Sequence, residues 1–219
     1  MRLRMASMGR LAVVALVATL VASTAGAAHA RAYAADVVPG PGQVTLDVLS
    51  INGSGCPAGS ATVTMLPDNT GFRVTYSSFV ALSGGGSPAT AFRKNCQLGV
   101  QVNVPQGFTF AIARADYLGR AALAAGATAL ERTNYYFQGN PGNNVADHPL
   151  AGPLSGVWHT TDVTDVTALV FEPCGVSSVL NINTELRVSA GSSGVLNWIA
   201  MSASDGSVDT IVSFQWEQC

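Results

Sequence analysis

The chain has 219 residues, only 11% of them charged, against 48% hydrophobic residues and 23 glycines. A chain this apolar is not disordered. Its formal charge of −2, with no basic cluster, excludes the electrostatic footprint of a nucleic-acid-binding protein.

In chain order, the first feature is an address. Arg2, Arg4 and Arg10 form a cationic head, Leu11 to Ala22 is an apolar stretch broken only by Thr19, and a small-residue tail ends Ala28-His29-Ala30. That layout predicts a secretory signal peptide over residues 1–30, with a second cleavage site after Ala34 at Ala32-Tyr33-Ala34. The apolar run is shorter than the roughly 20 residues a bilayer span needs. No twin-arginine pair and no cysteine for lipid attachment accompany it. The expected mature form is residues 31–219, one extracellular domain near −5 in net charge, with no membrane contact after signal removal. A single lysine, Lys94, against ten arginines is the bias of a GC-rich genome and points to a bacterial source.

The mature chain alternates apolar and polar residues with period two. Val44, Leu46 and Val48 share a face, as do Phe72, Val74, Tyr76 and Val80, and Leu98, Val100, Val102 and Val104. Leu180, Ile182, Leu186 and Val188 form another such set, and Val208, Val212, Phe214 and Trp216 a last one. Strands with one dry and one wet face need this pattern. Turn signals separate the runs: Pro67-Asp68-Asn69-Thr70-Gly71, Pro105-Gln106-Gly107 and the hairpin cue Asp205-Gly206. Only Ala121 to Arg132 reads as helical, against the resistance of Gly126 and Thr128. Ser83-Gly84-Gly85-Gly86-Ser87-Pro88 reads as a spacer loop, and Gln138 to Gly156 as a long Gly-, Pro- and Asn-rich loop of the kind that often carries function. About nine or ten strands predict an all-β, antiparallel β-sandwich.

Four cysteines, Cys56, Cys96, Cys174 and Cys219, follow the signal. An even number in an exported chain predicts two disulfides. Three pairings are open, and Cys56–Cys96 with Cys174–Cys219 is favoured. Each would close a loop of about 40 residues, contributing on the order of 4 kcal/mol in the chain-entropy account.

Several segments together resemble a known family. They are Asn52-Gly53-Ser54-Gly55-Cys56-Pro57, Phe92-Arg93-Lys94-Asn95-Cys96-Gln97 and Val104-Pro105-Gln106-Gly107-Phe108, then Tyr135-Tyr136-Phe137-Gln138-Gly139 and Thr161-Asp162-Val163-Thr164-Asp165. Pro173-Cys174-Gly175 and Leu180-Asn181-Ile182-Asn183-Thr184-Glu185-Leu186 continue the likeness. The family is the secreted one catalogued as domain of unknown function 4360, found in bacteria such as the streptomycetes and in fungi. The resemblance spans nearly the whole mature chain, with the two cysteine-bearing segments the most specific. It implies secretion and the cysteine framework, and it carries over no catalytic or binding residue.

Motifs for catalysis are missing. Neither G-x-S-x-G nor H-E-x-x-H occurs, and no dinucleotide or phosphate-binding fingerprint implies a cofactor. His148 and His159 are the only imidazoles beyond the signal. With Asp147 and Asp162 they could form a mixed N and O metal site, although the plainer reading puts His148 on an exposed loop and His159 on a strand. Asp162 and Asp165 suit calcium only if a turn brings them together, since three residues apart on a strand they point to opposite faces. Glu131, Glu172 and Glu185 could supply the paired carboxylates of a glycoside hydrolase, but Glu185 fits better as a partner of Arg187 or of a cross-strand arginine. Tyr135, Tyr136 and Trp158, beside the long loop, are the candidate ligand surface, with faces suited to sugars. The expectation is a non-enzymatic extracellular interaction protein with no catalytic, cofactor or metal residues assigned. Carbohydrate or cell-wall binding is the alternative, and glycoside hydrolysis is more remote.

Overall fold

The computed structural model describes residues 40–165, 168–201 and 209–219. The expected signal peptide, its two cleavage sites, the Asp205-Gly206 turn and Val208 lie outside those residues. Among the described residues twelve strands are formed, against the nine or ten expected. They are β1 (Thr45–Asn52), β2 (Ala61–Met65), β3 (Gly71–Tyr76), β4 (Val80–Ser83), β5 (Arg93–Asn103) and β6 (Phe108–Leu123). The second half contributes β7 (Thr128–Phe137), β8 (Asn144–Ala151), β9 (Leu154–Val163), β10 (Val179–Ser189), β11 (Asn197–Ala200) and β12 (Asp209–Gln218).

They form two antiparallel sheets in a sandwich. One has the order β1-β5-β10-β7-β8, and the other runs β2-β3-β12-β6-β11-β4 with β9 also on β6. Arg114 to Tyr117 pair with both β12 and β9, and Arg120 to Ala122 with both β11 and β9. β12 and β11 therefore follow one another along one side of β6, while β9 lies on the other. Between the sheets, Phe72, Phe110, Phe137, Phe214 and Trp216 cluster with ring centroids 4.8–5.8 Å apart. Burial of each such side chain contributes roughly 1.5–3 kcal/mol.

β6 shows how one strand keeps its apolar side inward through a change of phase. Phe110 and Ile112 face the core on even numbers, and Ala115, Tyr117, Ala121 and Leu123 on odd ones. The ladder with β12 skips Ala113, and this bulge absorbs the change. Beyond it, Gly119 leaves room for its cross-strand neighbour Trp158. A Cβ at Gly119 would stand 2.2 Å from the indole.

Two expectations need correction. The Ala121–Arg132 segment is not helical. Ala121 to Leu123 finish β6, Ala124 to Ala127 turn with Gly126 at φ 80°, and β7 begins at Thr128. Pairing on both sides of β6 overrides a helix propensity that Gly126 already weakens. The 138–156 loop contains β8, whose signal Pro149 hides. Proline has no N–H for a ladder, yet β8 is the edge of its sheet and needs bonds on one side only. Leu46 and Val48 do share a face, opposite the core residues Val102 and Val100, but Val48 is 40% exposed because β1 is the other edge of that sheet.

Both disulfides of the favoured pairing form. Cys56–Cys96 is wholly buried and ties the loop after β1 to β5, with 5.2 Å between Cα atoms. Cys174–Cys219, at 5.8 Å, is exposed and fastens the end of β12 to the segment before β10.

Candidate functional site

The outward residues of the five-stranded sheet fall into rows set by the register. In one row Gln97 of β5, Asn183 of β10 and Asn134 of β7 stand side by side. Next to it, Asn181 stands beside Tyr136, with Gly99 on the far side of Asn181. On the opposite flank lie Asn95, Glu185, Arg132 and Asp147, followed by Arg93 and Arg187. Arg93, Asn95, Gln97, Arg132, Asn134, Asn183 and Glu185 border a depression of about 230 Å³.

The acids on this face are occupied. Glu185 accepts hydrogen bonds from Arg93 and Arg187. Burial works to raise its carboxyl, but the two guanidinium groups outweigh burial and hold it below the ordinary glutamate value. Asp147 accepts from Arg132 through both oxygens, at 2.5 and 2.6 Å, which lowers its carboxyl in turn. The amide row is different: Asn134 Oδ1 and Asn183 Oδ1 are shielded from water and accept no hydrogen bond from the protein. Almost all shielded polar atoms in folded proteins find a partner.

The inner side of β7 carries a second polar array. Glu131 is fully buried. His148 Nδ1 of β8 lies 2.6 Å from Glu131 Oε2, and its Nε2 lies 2.7 Å from Asp162 Oδ1 of β9. Both ring nitrogens donate, so the imidazole is a cation held between two carboxylates. Its pKa is pushed up to about 10, first by the bond to Asp162 and then by the bond to Glu131. Burial pushes Glu131 above the usual glutamate value, with His148 and Thr133 pulling the other way. Thr133 Oγ1 donates to Glu131 Oε1 (2.6 Å), and Tyr117 OH donates to Asp162 Oδ2 (3.1 Å). The array joins β7 and β8 of one sheet to β6 and β9 of the other. With both ring nitrogens engaged, it works as a strut between the sheets.

The structure separates the residues of the candidate metal and ligand sites. Asp147 faces Arg132, and His159 is an exposed side chain 3.4 Å from Asp116, leaving only His148 and Asp162 together. Asp162, the other half of the calcium candidate, is engaged by His148 and Tyr117. Among the described residues no group of three or more acidic, histidine or cysteine side chains is arranged to hold a metal ion. Of the aromatic trio, Tyr135 and Trp158 are each 4% exposed and lie in the core, and Tyr136 is half-buried on the outer face. Asn134, Asn183, Gln97, Arg93 and Arg132 are absent from the sequence-derived candidates. Asn183 carried a signal nonetheless, since it occupies the polar phase of the run from Leu180 to Val188, whereas Arg132 lay in the segment read as helical.

Comparison with known proteins places this geometry in a lineage. An uncharacterized secreted protein of Arthroderma benhamiae is 30% identical over 181 residues, which is 83% of this chain and 74% of the relative. Among solved structures, the enzymatically active domain of tailspike protein 4 from bacteriophage CBA120 aligns at 14% identity and a TM-score of 0.26. That alignment covers 81% of this chain but only 20% of the tailspike chain, too weak a likeness to carry an argument. The profile of the family described as domain of unknown function (DUF4360) matches residues 42–219, and the chain belongs to that family.

Proposed function

We propose that this chain is an exported, non-catalytic glycan-binding protein whose ligand lies on the outer face of the five-stranded sheet. One observation carries the reading: the register aligns Gln97, Asn183 and Asn134 into an amide row with two acceptors unused. Carboxamides both donate and accept, as sugar hydroxyls do, and Tyr136 in the next row offers an apolar face for the C–H side of a ring. The acids nearest the amide row, Glu185 and Asp147, are held in ion pairs with arginines, which favours holding a ligand over transferring protons to it. Export is supported by the leader-like N-terminus, the two disulfides and the secreted relative.

A glycan array probed with residues 31–219, and with the Asn134→Ala/Asn183→Ala double variant, tests this. The expected result is retention of at least one glycan class, weakened fivefold or more in the double variant at an unchanged melting temperature. A blank array, or a glycan that the double variant binds equally well, would refute the reading.

A further inference from the structure

A second concavity, of about 580 Å³, opens where the Pro105–Gly107 turn between β5 and β6 meets residues 172–177. Val102, Val104, Phe108, Pro173 and Val176 give it apolar walls, and among the described residues no Lys, Arg or His lines it. A glutamate is set into that lining. Glu172 is 3% exposed, and its backbone is fixed at both ends: its N–H donates to Phe110 O, and its C=O accepts from Thr109 Oγ1.

The carboxylate of Glu172 is only half satisfied. Oε1 accepts from the Ser178 N–H (2.6 Å) and from Ser178 Oγ (3.0 Å). Oε2 makes no hydrogen bond, and no cation among the described residues pairs with either oxygen. Burial holds the carboxyl above the ordinary glutamate value. The contrast with Glu131 and Glu185 is informative, since each of those lies against a histidine or arginines. A carboxylate this largely buried, without a counter-charge, is costly. Here that cost sits in the wall of a cavity of the size that takes small molecules.

We infer that this cavity binds a small amphiphilic cation, an ammonium group on an apolar body, with Glu172 as its counter-ion. The apolar part lies against Val102, Val104, Phe108 and Val176, and the ammonium donates to the unused Glu172 Oε2. The site is separate from the amide face and does not depend on it.

Hexylammonium, hexanol and hexanoate separate charge from apolar contact. Each is titrated against the folded chain by calorimetry and saturation-transfer NMR. Hexylammonium should bind at least tenfold more tightly than hexanol, and hexanoate should not bind. Glu172→Gln keeps the acceptor for Ser178 and should reduce hexylammonium to the hexanol level, with the melting temperature unchanged or raised. Val176→Trp, which fills the cavity from its exposed rim, should abolish binding of all three and decides the matter if Glu172→Gln fails to fold. Equal binding of hexylammonium and hexanol, full affinity in either variant, or displacement of hexylammonium by equimolar calcium overturns the assignment.

Discussion

Along β7, Glu131, Thr133 and Tyr135 point into the sandwich while Arg132, Asn134 and Tyr136 point out of it. The two rows hold similar chemistry, a charged group, a small polar group and a tyrosine in the same order, yet they face different dielectrics. Inside, the carboxylate must be matched atom by atom, and it is, by His148 and Thr133. Outside, Arg132 and Asp147 form an ion pair that is nearly half exposed, of a kind that solvent screening leaves with little effect on stability. Asn134 on that side is left with an unused acceptor. That acceptor is shielded from water as well as unmatched by the protein, and a ligand drawn onto the outer row would satisfy it.

Breaking the inner row should have the largest effect. His148→Ala leaves two carboxylates facing each other without their cation and is expected to cost about 3–5 kcal/mol. For a chain of this length that lowers the melting temperature by on the order of 10 °C. A loss below about 0.5 kcal/mol in a urea melt would mean that the strut is idle. Trp158→Ala should cost a comparable 3–5 kcal/mol, as truncation of a buried aromatic does. Tyr136→Ala, on the outer face, should cost no more than about 1 kcal/mol, and equal losses at the two positions would erase the inner–outer distinction.

A pH series sharpens the comparison further. His148 is raised from 6.5 in the unfolded chain to about 10 in the folded one, so the folded state binds its proton more tightly. Its contribution is complete below pH 6.5 and is lost as pH climbs through about 10. The slope between those limits approaches 1.4 kcal/mol per pH unit. The raised Glu131 acts in the same sense at the acid end, adding stability below the ordinary glutamate range. The urea midpoint of the native chain should therefore fall between pH 7 and pH 10 while that of His148→Gln stays flat, and parallel curves would contradict the assignment. The smallest expected effect is that of Asn134→Ala on stability, within about 0.5 kcal/mol. Its consequence should appear instead as a loss of about 1 kcal/mol or more in glycan affinity, read from a binding titration.

How far the residues alone reveal this arrangement depends on whether the information is local. The dry faces of β5, β10 and β12 were legible because their alternation runs unbroken, as at Leu98, Val100 and Val102. β8 was not, because Pro149 belongs in a strand only when that strand is an edge, and edge position is a property of the whole sheet. The strut was legible only in fragments. Glu131 stood among the candidate carboxylates and His148 with Asp162 among the candidate metal ligands, and nothing local joined the two sets. One clue was available: Glu131 shares its phase with Ala129, Thr133, Tyr135 and Phe137, which marks a buried acid in need of a partner. The cysteines pair in the one of three open arrangements that was favoured, whereas the difference in their exposure arises only from the packing of the ends.

The proline in β8 has a consequence beyond concealing its strand. A free sheet edge is a row of unused donors and acceptors, a template on which another chain can lay down a strand and begin a fibril. Pro149 deletes a donor near the middle of that edge, and the charged pair Arg132–Asp147 stands beside it. The feature that made the strand hard to recognise thus also makes it hard to copy, and it guards the exposed flank of the sandwich against self-association.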